Sequence, residues 1–344
     1  MKKIFLGGTG RSGTSVTARI IGSHPDLYHI PLETRFMCDA DSGMRDLFTA
    51  LTSNYSPESS GSSLERFVNL INSMSNPYSA PFIGYNLSEI FENGVVAGEL
   101  NHLVNAIIEG KYNGWDRHVA DYKYSFKPFI RRILACKPAI DRLPILGKIT
   151  KRYDIRYKDI VQYSDRYIVK YFSDEDKLLS IFIKFVDSIF GGRTASLGKI
   201  GWCESTPQNI LYVDFLHKLY PDAYFVHCVR HPVGVVQSWR ERSWGPEKLD
   251  QLCDYMVNYY TRMEHSLNYA NDNANLLTLR MERMDSDSLS TELGDFLKVS
   301  HNFDKSIVFD GEKILGWDRR ISKKDRDYVE FRLSKYIELF GYDA

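Results

Sequence analysis

The sequence has no net charge: 44 lysines and arginines balance 44 aspartates and glutamates across 344 residues. A global basic field of the kind that gathers nucleic acid is absent, so nucleic acid is not an expected partner. Cysteine is scarce. Cys38, Cys136, Cys203, Cys228 and Cys253 are odd in number and scattered, with no CxxC pair. That pattern argues against a disulfide framework or a zinc knuckle and points to a reducing compartment. Long apolar runs are missing too, since no stretch approaches the roughly 18 consecutive apolar residues of a membrane span. The opening MKKIFLGG holds only Ile4, Phe5 and Leu6 before Gly7, short of the about 7–15 apolar residues of a signal peptide. The expectation is a soluble, cytoplasmic protein without repeats or low-complexity tracts. What is present is ample core material, 43% hydrophobic and 13% aromatic residues, which excludes a disordered chain.

The apolar patterning predicts strands at residues 3–6, 200–203, 223–229 and 276–280. Helices are predicted at 14–23, 207–219, 233–242, 247–270 and 322–340, the last opened by a Ser322…Asp325 capping box. Residues 41–63, rich in Ser, Gly and Asp, read as loop with one helical turn. Strands alternating with helices imply an α/β fold with a central parallel sheet and crossover connections. Residues 111–170 stand apart, with 15 Lys and Arg against 6 Asp and Glu, a local net charge of +9. The chain therefore reads as a single domain over 1–344, in which 40–198 form a helical, basic insertion or acceptor-binding cap.

The strongest local signal lies between the first strand and the first helix: Gly7-Gly8-Thr9-Gly10-Arg11-Ser12-Gly13-Thr14-Ser15. Glycines let the backbone turn and bring its N–H groups against an anion, and the helix N-terminus adds its dipole. Gly8-x4-Gly13 matches the first half of a Walker A loop, but Thr14 stands where the Walker lysine belongs. That lysine serves the β- and γ-phosphates, so ATP or GTP hydrolysis is disfavoured. The cation, Arg11, lies inside the loop instead.

Gly10-Arg11-Ser12-Gly13-Thr14-Ser15, followed by Ser23-His24-Pro25-Asp26, resembles the 5′-phosphosulfate loop of PAPS-dependent sulfotransferases, above all the tyrosylprotein sulfotransferases and the bacterial enzymes that share their pattern. The resemblance covers residues 3–36 and 199–342, and it implies a P-loop-like three-layer sandwich. It assigns Gly10, Arg11, Ser12, Gly13, Thr14 and Ser15 to the 5′ end of PAPS, with Arg11 on the leaving group. It also implies a separate grip on the 3′-phosphate from an arginine after an apolar strand and a serine eight positions on. Arg230 and Ser238 fit that spacing, and Arg242 repeats the Ser238 face at i+4. Glu33-Thr34-Arg35 matches the family segment whose glutamate is the general base, so Glu33 is the expected base and Arg35 a contact to an acidic acceptor. Lys313 and Trp317 resemble the C-terminal loop that closes over the nucleotide.

Two positions depart from the pattern. Glu204-Ser205-Thr206-Pro207 places Ser205 where the family carries a lysine that neutralises the leaving group. Either Arg11 does that work alone, or another cation such as Lys199 reaches in, or activity is altered. Met281 occupies the position of a nucleotide-contacting tyrosine. The implied co-substrate is PAPS and the product 3′,5′-ADP, with no metal required. The acceptor is expected to be a glycan, a glycolipid or a peptide. The segment 124–137 fits two placements, peripheral membrane contact or packing on the core with its basic face in water. Two rival readings stay open: a P-loop nucleotide kinase, and a nucleotide- or glycan-binding module that has lost catalysis.

Overall fold

The computed structural model describes residues 1–76, 86–92, 94–115, 163–242, 245–283, 286–307 and 314–342. Most of the basic segment, including Cys136 and residues 124–137, lies outside these, as does Lys313.

Strands β1 (Lys2–Gly8), β2 (Leu27–His29), β5 (Gly201–Glu204), β6 (Tyr224–Val229) and β7 (Asn275–Arg280) form one parallel sheet in the order β2-β5-β1-β6-β7. A separate antiparallel pair joins β3 (Ile108–Trp115) to β4 (Tyr163–Val169). The longer helices are α1 (Thr14–Ser23), α2 (Met44–Leu51), α3 (Ser59–Ser75), α4 (Val95–Ile107), α5 (Glu175–Val186), α6 (Val213–Leu219), α7 (Pro232–Arg240), α8 (Leu249–Asn273), α9 (Ser286–Leu297) and α10 (Lys323–Leu339).

Burial on both faces of the central strands explains why they pair in parallel. Ile4 and Leu6 join Ile20 and Ile21 of α1 and Leu293 of α9 in one apolar cluster. Phe5, between them, belongs to the other cluster with Trp202, Phe225 and Tyr260. The period-2 alternation of β1 thus feeds two cores, one on each face of the sheet, and the result is a three-layer α/β/α sandwich. Phe5 meets Trp202 edge-on at 5.3 Å and stacks on Phe225 at 5.6 Å.

The chain first builds to one side of β1, with β2 and β5, and then to the other, with β6 and β7. The strand order therefore reverses around β1, which opens a crevice at the carboxyl ends of the strands, the usual ligand position in open parallel sheets. The register gathers Gly7 and Gly8, Glu204, Val229 and Arg280 at that edge.

Residues 41–63 differ from the sequence reading. They hold α2 and the start of α3, whose buried Met44, Leu47, Phe48, Leu51 and Leu64 supply an apolar face that outweighs the turn-forming composition. Residues 207–219 form not one helix but a 3-10 turn (Pro207–Leu211) and α6, broken at Tyr212. Ser322 caps α10, its hydroxyl accepting from Asp325 N at 3.1 Å. Among the described residues, no helix is long and apolar enough to cross a membrane.

Candidate active site

The glycine loop owes its shape to backbone positions that side chains rarely adopt. Gly10, Arg11 and Gly13 all have positive φ, at 66°, 60° and 88°. Successive left-handed residues turn their N–H groups inward, the concavity that favours an anion. Gly13 is required for its backbone, and its only close neighbour among the described residues is the flexible Met281 side chain. Its φ suits glycine, and a Cβ there would fall 1.9 Å from Met281 Cε. At Gly8 a Cβ would meet Ser12 Oγ at 2.2 Å and the Cys228 carbonyl at 2.7 Å. Helix α1 begins at this loop with no side-chain cap and no acidic residue in its first turn, leaving its N-terminal dipole to the crevice. Ser12 is fully buried, and its hydroxyl has no hydrogen-bond partner among the described residues. Thr14 is buried and Ser15 exposed.

Residues far apart in sequence close on the loop from β6 and α7. Arg230, directly after β6, donates through Nη1 to the Arg11 carbonyl at 3.2 Å and through Nη2 to the Ile314 carbonyl at 3.2 Å. Arg11 Nε donates to Ser238 Oγ at 3.1 Å. The structure therefore brings Arg11, Arg230 and Ser238 together. Arg242 is exposed, but its charge reaches Arg11. Partial burial first, then Arg242, lowers the Arg11 guanidinium from its usual range, while Glu241 opposes the shift. Burial also lowers Arg230; Glu282 opposes this, and Arg320 and Arg11 add to it. Like charges held this close favour an incoming anion.

Trp317 is buried and stacks on His231 with ring centroids 4.8 Å apart. It lies so close to Gly234 that a Cβ there would come within 2.8 Å of its ring. Trp317 thus braces the start of α7 beside Arg230. Glu282 fixes the same corner, accepting from His231 N at 2.8 Å and from Tyr342 Oη at 2.6 Å.

On the other side of the loop, Glu33 is half-buried. Burial and the Glu204 carboxylate push its pKa up from the usual carboxylate range, and Arg35 pulls it partly back. The Glu33 charge also reaches Tyr259, whose hydroxyl donates to the Gly8 carbonyl at 2.9 Å. Arg35 has φ 54° and pairs with Asp39 at 2.8 Å.

Two contributors were not foreseen in the sequence. Glu204, fully buried, accepts from Thr34 N (2.9 Å), Thr34 Oγ1 (3.0 Å), Thr206 N (3.1 Å), Thr206 Oγ1 (2.6 Å) and Asn209 Nδ2 (2.5 Å). It ties the Glu33-Thr34-Arg35 segment to the end of β5, and Arg35 N adds a bond to Thr206 Oγ1 at 3.0 Å. The signal was present as Glu204, Thr206 and Asn209 spaced around a proline, but the pairing spans 170 residues. The second is His29, whose Nε2 lies 3.3 Å from Ser205 Oγ. Burial pushes its pKa down to about 4, so the ring is neutral at physiological pH. Lys199 does not reach this point. Its ammonium donates to the Pro25 carbonyl, at the opposite end of β5 from Ser205.

One buried arginine, Arg230, and one exposed arginine, Arg11, thus meet at the glycine loop at the carboxyl edge of a parallel sheet. A model of the sulfotransferase family (Sulfotransfer_3) matches residues 129–292, which include Arg230, Ser238 and Arg242 but not the glycine loop. Over that stretch, just under half of its length, the chain is similar to the sulfotransferase family. It is also similar to nodulation protein NoeE of Sinorhizobium fredii, 28% identical over 75 residues that make up 22% of this chain and 18% of that protein. The chain thus spans under a fifth of the curated relative it matches. Among solved structures, the sulfotransferase domain of the Synechococcus PCC 7002 olefin synthase aligns over 100% of this chain and 95% of its own, with 14% identity and a TM-score of 0.39. Sulfotransferase STF1 of Mycobacterium tuberculosis aligns over 97% and 76%, with 14% identity and a TM-score of 0.39.

Proposed function

We propose that the protein transfers a sulfuryl group from PAPS to a hydroxyl, or an amine, of an acceptor, and that the chain is one catalytic domain with residues 40–198 as its acceptor-side cap. The observation that carries this reading is the joint between the Gly10–Ser15 loop and the Arg230–Ser238 segment, made by Arg11 and Arg230. One anion site at a helix N-terminus is generic. A second, cationic one beside it suits a nucleotide with phosphate at both its 5′ and 3′ positions, and the Ser12 hydroxyl left over inside the loop suits an anionic oxygen.

When bound, PAPS supplies an activated sulfuryl group on a good phosphate leaving group. In this reading Gly10, Ser12, Gly13, Thr14 and Ser15 hold the 5′ end through loop and helix N–H groups. Arg230, Ser238 and Arg242 hold the 3′-phosphate, with Lys313 and Trp317 closing over the nucleotide. Arg11 stands between the two ends. Glu33 takes the acceptor proton as the new S–O bond forms and the old one to the phosphate oxygen breaks. A raised carboxylate pKa makes it a stronger base. Ser205, supported by neutral His29, offers a hydroxyl donor near the leaving group, and Arg35 contacts the acceptor.

Calorimetric titration with 3′,5′-ADP and with ATP tests the donor site. Micromolar binding of 3′,5′-ADP is expected, and binding of ATP alone would overturn the reading in favour of a kinase. The neutral Ser205–His29 pair supports a second reading, a binding module without turnover. Labelled-sulfate transfer to glycans, glycolipids and tyrosine peptides separates the two, since tight PAPS binding with no transfer to any of them is the outcome the module requires.

A further inference from the structure

At the β7 edge of the sheet lies a cavity of about 160 Å³ that the proposed transfer does not use. Leu276, Thr278 and Arg280 line it from alternate positions of β7, so they share one face of the strand. His227 lines it from β6, level with Thr278 in the parallel register, and Arg280 stands two residues further toward the carboxyl edge. Leu267 of α8 and Phe340, just past α10, add apolar wall.

Two groups in this cavity lack the partners that their chemistry calls for. His227 is 2% exposed, its Nδ1 lies 3.5 Å from Thr278 Oγ1, and its Nε2 has no partner among the described residues. Burial pushes its pKa down to about 3, so the ring is neutral at physiological pH. With the Thr278 hydroxyl donating to Nδ1, the single ring proton sits on Nε2, which is then an unused donor. Arg280 is half-buried and pairs with no carboxylate among the described residues. Its Nη1 donates to the Gly341 carbonyl at 3.1 Å, and its guanidinium carbon lies 5.8 Å from the centre of the Tyr342 ring. Glu264 also lines the cavity, but Lys335 already holds its carboxylate at 2.5 Å. The cavity therefore carries one uncompensated positive charge, a buried neutral donor and an apolar wall.

We propose that this cavity is a second ligand site, independent of the donor reading, and that it takes a small monocarboxylate, with the carboxylate on Arg280 and His227 and the apolar body over Leu267 and Leu276. A carboxylate accepts from a guanidinium and from an N–H donor at once, one oxygen to each. A dianion would bring a second charge that the lining leaves unmatched, and burying an unmatched charge is costly. An ammonium compound is disfavoured because Lys335 already occupies Glu264. A cavity of about 150 Å³ takes one benzene ring, so the body has room for about six carbons.

The test uses the full-length protein. Calorimetry and ligand-observed NMR follow benzoate, hexanoate, decanoate and benzyl alcohol. Benzoate or hexanoate is expected to bind saturably, benzyl alcohol at least about tenfold more weakly than benzoate, the worth of a charge-assisted bond, and decanoate more weakly than hexanoate. Arg280→Gln should weaken the carboxylates by about the same factor. His227→Gln, which keeps an N–H donor, should largely retain them, and Arg230→Ala, which alters the crevice, should leave them unchanged. Arg280 also ties down Gly341, so thermal unfolding is measured for each variant, and the alcohol and chain-length comparisons read the site without any substitution. Absence of binding by both acids, benzyl alcohol as tight as benzoate, affinity that keeps rising to decanoate, or unchanged affinity in a folded Arg280→Gln would each overturn the proposal. So would loss of benzoate binding in Arg230→Ala, which assigns the carboxylate to the crevice. Binding of 3′,5′-ADP, or its failure, bears on the donor reading alone.

Discussion

The two anion-facing corners of the crevice are built by opposite means. The glycine loop is made of backbone: three positive φ angles, an uncapped helix start, and no room for a Cβ at Gly8. The Arg230 corner is made of side chains: two guanidiniums, a serine hydroxyl, and a histidine–tryptophan stack held by Glu282. The first is sensitive to atoms gained, the second to atoms lost. Backbone sites fix shape, whereas side-chain sites fix charge, and a ligand with two different anionic ends uses both.

The contrast can be tested from the strongest perturbation down. Glu33→Ala removes neither corner. It should cut transfer by about 10²–10⁴-fold, the usual worth of a general base, while 3′,5′-ADP binds as before, and steady-state rates beside calorimetry check this. Arg230→Ala takes charge from the side-chain corner. Nucleotide affinity should fall by about 1.5–3 kcal/mol, roughly 10–150-fold, for a lost charge-assisted bond. Gly13→Ala adds one carbon to the backbone corner. The left-handed conformation alone costs about 1–2 kcal/mol for a residue with a Cβ, and Met281 must also move. The double variant Gly13→Ala, Met281→Ala relieves the collision but not the backbone strain, so thermal unfolding should show partial recovery only. Full recovery would mean that contact rather than conformation sets the loop.

The smallest effect is a pH shift. Glu33 acts as a base only when ionised, and its pKa is raised, so kcat/KM should fall as pH drops through a value above the ordinary carboxylate range. Arg35 holds that pKa down. Arg35→Ala should therefore move the acid limb to higher pH, with the alkaline side unaffected.

Much of this was legible in the chain. The buried runs of β1 and β6 announced central parallel strands, and the glycines announced the loop between β1 and α1. That Arg230 and Ser238 both reach Arg11 fits a spacing that a strand end and two helical turns impose. Other parts were hidden for physical reasons. Helices α2 and α3 were masked by Ser and Gly because tertiary burial of Met44, Leu47 and Leu64 overrides local propensity. Along α10, Phe331 is 77% exposed while Val329 is buried, a facing that residue type alone does not give. Strand β2, three residues long, is too short to show a period. The Glu204–Thr34 contacts and the Ser205–His29 pair join residues 170 and 176 positions apart, which no local pattern encodes.

Glu204 carries a consequence for anyone rebuilding this protein. The segment bearing Glu33 has little regular structure of its own, and its position is inherited from a carboxylate on a neighbouring strand. Transplanting residues 33–35 into a related scaffold without Glu204, Thr206 and Asn209 would move the letters but not the geometry. The unit of inheritance is the pair of segments, and a chimaera whose boundary falls between them should fold around a base that points elsewhere.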